Sequence, residues 1–151
     1  MEWMLMPLRK YAQFTGRSRR KEFWMFTLLN IIVYAVILTL MIMTSGASMF
    51  ADADPTNPLS AYGAMFSGVG LLLAVWALAV LIPGIAVSVR RLHDRDMSGW
   101  WYLGFIVLSF IPLVGIIASI AFLVVMALPG TPGANRFGPD PKDPSGAEVF
   151  S

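Results

Sequence analysis

The chain has 151 residues, 57% of them hydrophobic and only 13% charged, with a formal net charge of +2 and a mean hydropathy of +0.69. A soluble domain of this size needs helices with charged faces turned to water; so apolar a chain instead belongs to one small integral-membrane domain, with no room for a separate soluble catalytic domain. Cysteine is absent, which excludes disulfides and thiol chemistry and leaves the compartment open.

Residues 1–22 form a basic and aromatic interfacial segment. Trp3, Leu5, Met6, Tyr11 and Phe14 are interleaved with Arg9, Lys10 and Arg17, which suits the headgroup level, aromatics inward and cations toward phosphates. Pro7 argues against one continuous helix before it, and Gly16 breaks the pattern. Arg17, Arg19, Arg20 and Lys21 then make a collar before Phe23 and Trp24. Such a collar is ordinarily a topology signal; the sharper alternative is a site for lipid phosphate or an acidic partner.

Phe23 to Thr44 is the first span, about 22 residues without a charge. A helix rises about 1.5 Å per residue, so about 20 apolar residues cross a hydrocarbon core roughly 30 Å thick. The run is too long for a signal-peptide apolar region, roughly 7–15 residues, and is read as a retained helix. Asp52, Asp54, Pro55, Asn57 and Pro58 then mark a short polar turn, and Ser45 to Ala64 holds no Lys or Arg. Met65 to Val89 is the second span; its Pro83-Gly84 predicts a kink or local unwinding, more commonly a packing device than the lining of a site. Small residues four apart at Gly70/Ala74, Gly84/Ser88 and Gly115/Ser119 would let backbones approach closely.

Trp100 to Leu128 is the third apolar stretch, and at about 29 residues, roughly 43 Å as a helix, it is overlong for one straight crossing. Pro112 and Gly115 interrupt it. One kinked, tilted crossing is preferred, which places the tail of residues 129–151 outside the cytoplasm; the alternative is a hairpin broken at Ile111-Pro112. Pro129 to Pro141 is too rich in Pro and Gly for helix or strand. The expected architecture is therefore an all-α integral-membrane bundle over residues 23–128 with three spans (23–44, 65–89, 100–128), or four if the last one breaks.

Of eleven Lys and Arg, six (Arg9, Lys10, Arg17, Arg19, Arg20, Lys21) precede the first span and three (Arg90, Arg91, Arg95) lie between the second and third. Those nine, and with them the N-terminus, belong in the cytoplasm. The segment Arg90 to Trp101, expected as a loop, holds the chain's single histidine, His93, beside Asp94. That pair could act as a general acid or base, though a loop histidine whose neighbour balances the arginines is the commoner case. Its His93-Asp94-Arg95 is no kinase loop, because no Gly-rich loop or strand lysine accompanies it. One His, no Cys and scattered carboxylates give no metal-ligand spacing, and no triad, Walker or dinucleotide fingerprint implies a cofactor. The basic residues sit where membrane topology already requires them, so nucleic acid is not an expected partner. The spans hold no Asp, Glu, Lys, Arg or His, which argues against proton- or ion-coupled transport.

Three blocks, Phe14 to Trp24, Pro83 through Arg90-Arg91-Leu92-His93-Asp94 to Trp101, and Gly130 to Pro141, resemble those of a bacterial inner-membrane family known as domain of unknown function 805. The resemblance covers nearly the whole chain, in order and with the expected spacing. A longer acidic first loop and a longer third apolar stretch depart from it, and the latter bears on the number of crossings. It implies a small multi-pass inner-membrane protein and no particular activity.

The function expected from the residues is a non-enzymatic binding or assembly module. Arg17, Arg19, Arg20, Arg90 and Arg91, with His93, Asp94, Trp100, Asn135 and Arg136, would engage anionic lipid headgroups, another membrane protein or a second copy of the chain. Guanidiniums donate to phosphate in pairs, and each basic residue near an anionic surface contributes roughly 1 kcal/mol. Two rivals come from other classes. One is an enzyme acting on a lipid-linked phosphate, with His93 as acid or base, Asp94 as its orienter and Arg90 or Arg91 holding phosphate. The other is a small oligomeric exporter or pore using the Pro83-Gly84 and Pro112 breaks.

Overall fold

A computed structural model describes residues 2–45 and 69–143. It contains α1 (Glu2–Arg9), α2 (Arg20–Ser45), α3 (Val69–Asp94), α4 (Trp100–Ser109) and α5 (Val114–Ala127). Among the described residues there is no strand, only an isolated antiparallel bridge between Asn135 and Gly138. The acidic loop expected after the first span, and Met65 to Gly68 of the second, lie outside the described residues.

The helix α1 runs through Pro7, contrary to expectation. One missing donor in a two-turn helix is a small loss, and the proline ring is fully buried. Both α2 and α3 are long and apolar enough to cross a membrane. Many of their apolar side chains point outward: Ile31 is 59% exposed and Met43 77% in α2, and Leu78 is 68% exposed in α3. A helix apolar on its outer face matches a lipid environment. Hydroxyls within these helices bond back to the preceding turn, Thr39 Oγ1 to the Ala35 carbonyl and Ser88 Oγ to that of Gly84, both at 2.8 Å, so neither needs water. The chain divides into two compact units, Thr27–Leu81 and Met1–Phe26 with Ile82–Ser151. Within the first, Trp76 Nε1 donates to Asn30 Oδ1 across α2 and α3 at 3.2 Å.

Two boundaries differ from the sequence reading. The helix α3 is continuous through Pro83-Gly84 and does not stop at Val89; Arg90 is helical and the last turn carries Arg91, His93 and Asp94. Charge marks where a membrane ends, whereas a helix continues while it has a face to bury. Here Ala86, Val87 and Leu92 are buried, and Arg91 pairs with Asp94 one turn on.

The third apolar stretch is two helices and not one. Pro112 cannot donate, and Leu113, at φ 65 and ψ −48, is the centre of a γ-turn in which Val114 N donates to the Pro112 carbonyl at 2.8 Å, turning the chain before α5. A Cβ on Gly115 would strike the backbone of Ser109, so glycine is what lets the start of α5 touch the end of α4. Phe122 of α5 packs against Phe105 and Tyr102 of α4, ring centres 5.4 and 5.8 Å apart. The pair therefore doubles back. Arg20 Nη1 donates to the Ala127 carbonyl at 3.3 Å and Arg91 Nε to that of Met126 at 3.1 Å. The tail thus begins beside the basic residues, not on the side opposite them, as the single crossing would require.

Candidate functional site

The site is built on Asp94, the last residue of α3, whose side chain is 4% exposed. Its Oδ1 accepts from Arg17 Nε at 3.0 Å and lies 2.9 Å from Arg17 Nη2, while Oδ2 accepts from Arg91 Nη1. One carboxylate shared by two guanidiniums leaves an excess of buried positive charge. Backbone carbonyls of the returning tail offset it. Arg17 donates from Nη1 to Gly133 and from Nη2 to Thr131, each at 2.6 Å, and Arg91 donates from Nη2 to Leu128. The Asp94 carbonyl accepts in turn from Thr131 N at 2.8 Å and Thr131 Oγ1 at 3.2 Å. Any Cβ at Gly130 would run into the Asp94 carboxylate, and Gly133 sits at φ 71, so both tail glycines are demanded by this wrapping.

The strap continues outward from this centre. Arg95 Nη1 donates to the Pro129 carbonyl at 2.5 Å, and Arg19 Nε donates to that of Pro141. Asp140 accepts from the backbone N–H groups of Lys142 at 2.9 Å and Gly133 at 3.1 Å, and the Lys142 bond above all holds its carboxyl below the ordinary range. Arg136 Nη2 donates to the Asp96 carbonyl at 2.7 Å, and its Nε lies 3.2 Å from Asp96 Oδ1.

A second buried pair lies nearby. Arg90 Nη1 donates to Glu22 Oε1 at 2.7 Å, and the Arg90 carbonyl accepts from Ser18 N at 3.0 Å. Arg90 Nε and Nη2 are buried with no partner. His93 is held on three sides: Nδ1 is 3.2 Å from the Gly16 carbonyl oxygen, the ring stacks on Phe137 at 3.9 Å and 5°, and its carbonyl accepts from Asn135 Nδ2 at 2.9 Å. A carbonyl can only accept, so Nδ1 carries the proton and Nε2 of the neutral ring presents a lone pair.

The three sequence blocks thus meet in one place, but not in the roles expected of each residue. Arg17, Arg90 and Arg91 are buried and committed to Asp94, Glu22 and tail carbonyls, so they do not face a headgroup. Arg20 and Arg136 are exposed, and Arg19 is half-buried. Trp100 is 78% exposed. The His93–Asp94 couple of the enzyme alternative does not form, because the carboxylate is taken by two arginines and the imidazole Nδ1 by Gly16. Among the described residues no three metal-ligating side chains converge. Glu22, Thr131, Gly130 and Phe137 were missed as functional residues. Glu22 carried a signal as the one acid inside the basic collar, and the other three only as members of the Gly130 to Pro141 block.

Comparison with known proteins gives the same extent of likeness as the three blocks. A family model described as "Protein of unknown function (DUF805)" matches residues 11–139. The Inner membrane protein YhaH of Escherichia coli K12 is 40% identical over 142 residues, 94% of this chain and 98% of its own. The Inner membrane protein YhaI of the same strain is 37% identical over 142 residues, 94% of this chain and 97% of its own. No solved structure matches the chain.

Proposed function

Because the chain belongs to the DUF805 family of proteins of unknown function, with relatives named as inner membrane proteins, we propose that it is a non-enzymatic binding or assembly module of the bacterial inner membrane. Its exposed cations meet anionic lipid headgroups. The observation that carries this is a division of labour among the basic residues: Arg17, Arg90 and Arg91 are sealed inside, whereas Arg20 and Lys21 stay exposed at the start of α2. Aromatic side chains surround that level. Arg19 and Lys21 both lie 5.6 Å from the centre of the Trp3 ring, and Trp24, Trp100 and Trp101 are exposed. Exposed tryptophan with Arg and Lys is the pattern of a membrane–water interface.

The test is the lipid that copurifies with the full-length protein, counted by mass spectrometry. Arg20→Gln with Lys21→Gln should reduce the ratio of anionic to zwitterionic lipid, by up to roughly 30-fold in affinity at low salt if each charge contributes about 1 kcal/mol. An unchanged ratio would remove the proposal.

On the same reading the basic face is cytoplasmic, and α4 and α5 form a re-entrant hairpin. With 10 and 14 residues they reach roughly 15 and 21 Å, short of a full crossing. Their tip, where Phe110 is 82% and Leu113 78% exposed, is apolar enough to stay in hydrocarbon. The chain has no native cysteine, so single cysteines report cleanly. Cysteines at the exposed Gln13 and Lys142 should both resist an impermeant thiol reagent in intact cells and react once the membrane is opened, while one at Thr56 should react in both cases. Labelling at Lys142 alone in intact cells would sink the hairpin; labelling at both Gln13 and Lys142 would invert the orientation.

A further inference from the structure

Ile85, Val89 and His93 recur every four residues along one face of α3, and with Leu103 and Ile106 of α4 they line a cleft of about 640 Å³ that also takes in Ser98. From Ile85 to His93 the cleft runs about 12 Å along the helix. Its lining is mostly apolar, with Phe14, Trp100 and Tyr102 beside the aliphatic side chains. Its polar end, taken as the mouth, is the last turn of α3, where His93 and Ser98 line it. A cleft of this volume, apolar with a few placed polar groups, has the dimensions of a ligand site.

The histidine at the mouth is unusually well fixed for a residue with no catalytic partner. Gly16 holds Nδ1, Phe137 holds the ring face and Asn135 holds the carbonyl, so this residue of the second block is positioned by the other two. What this fixes in space is Nε2, which has no hydrogen-bond partner among the described residues. It stands against Gly99, where an added Cβ would come within 3.5 Å of Nε2 and 2.8 Å of Val89 Cγ1; glycine keeps this part of the cleft open. A lone pair at the mouth of an apolar cleft calls for an amphiphile with a donor on its head. Charge narrows the choice. The Arg136 guanidinium, paired with Asp96, lies 4.7 Å over the same Phe137 ring, which disfavours a further cation nearby and so favours a neutral hydroxyl over an ammonium as the donor.

We propose that this cleft holds one acyl chain of a phosphatidylglycerol molecule whose headgroup hydroxyl donates to His93 Nε2. The proposal rests on the headgroup-binding function above and adds the identity of the headgroup.

The experiment uses full-length protein reconstituted with equal amounts of phosphatidylglycerol, phosphatidylmethanol and phosphatidylethanolamine, with retained lipid counted by native mass spectrometry. Phosphatidylmethanol carries the same phosphate charge but no headgroup hydroxyl. The wild-type protein should retain phosphatidylglycerol over phosphatidylmethanol by roughly fivefold, the effect of one hydrogen bond. His93→Phe keeps a flat ring against Phe137 and removes the acceptor, and should bring that ratio to about one while both anionic lipids still exceed phosphatidylethanolamine. Ile106→Trp, which fills the cleft from α4, should erase the same preference without replacing the histidine. Equal retention of the two anionic lipids by the wild type, or a preference that survives His93→Phe, overturns the proposal while leaving the collar intact. If the wild type does not prefer anionic over zwitterionic lipid at all, the headgroup-binding function falls with it.

Discussion

Asp94→Asn should be the most damaging single substitution in the chain, although it changes the side chain's shape hardly at all. Two guanidiniums, Arg17 and Arg91, converge on this carboxylate with side chains 1% and 0% exposed. Removing the charge leaves both buried without a counterion. Breaking a buried pair in this way costs about 3–5 kcal/mol, a large share of the roughly 5–15 kcal/mol that holds a typical domain together. The loss should appear first in the strap, since Thr131 and Gly133 are bound through the same arginines. In detergent, the variant should melt well below wild type, and trypsin should cut the tail at Arg136 and Lys142 under conditions that spare the native protein. Arg17→Met added to Asp94→Asn should recover part of the loss by removing one of the stranded cations. A melting temperature within about 2 °C of wild type, with the tail still protected, would show that the carboxylate is not what holds the strap.

The apolar helices were legible because long uninterrupted apolar runs favour membrane depth, and α2 and α3 are long and apolar enough to cross a membrane. Their ends were not. Arg90 and Arg91 read as the start of a loop because charge signals the edge of hydrocarbon; the burial of Leu92 and the Arg91–Asp94 ion pair, which accompany the continued helix, are not written in the charge pattern. The hairpin at Pro112 was visible as an alternative from excess length, but choosing it required knowing that Gly115 closes on Ser109 and that Arg20 and Arg91 take the carbonyls of Ala127 and Met126.

The site shows the same limit in another form. The arginines stand out in the sequence by type and position. Their burial was hidden because much of what neutralises them is main chain: the carbonyls of Met126, Leu128, Thr131 and Gly133 leave no side-chain signature. A Pro- and Gly-rich tail reads as a flexible loop on composition alone. Here those residue types serve close approach, as at Gly130 against Asp94, and they present backbone oxygens to cations. His93 was noticed for its carboxylate neighbour, yet adjacent residues on a helix point away from each other, so Asp94 was never placed to orient it.

The Glu22–Arg90 pair should behave differently from Asp94, because it is a simple pair rather than a hub. Both side chains are nearly inaccessible, 3% and 1% exposed, and they meet at 2.7 Å. Arg90 keeps Nε and Nη2 buried and unpartnered, so its desolvation is only partly offset. Glu22→Leu alone strands that guanidinium and should cost about 3–5 kcal/mol, seen as a large fall in melting temperature. Replacing a whole buried ion pair by apolar residues of similar volume is often neutral or stabilising, by about 1–4 kcal/mol in favourable cases. Glu22→Leu combined with Arg90→Met should therefore return to wild-type stability or exceed it, and the double-mutant cycle should show strong non-additivity. The surroundings favour this outcome. Phe23, Phe26, Ala86 and Val87, neighbours of the pair in sequence on α2 and α3, are all buried and apolar. A double variant no more stable than Glu22→Leu alone would mean that Arg90 contributes something beyond its pairing, and the bond from Ser18 N to its carbonyl would not account for it, because the main chain is unaltered by either substitution.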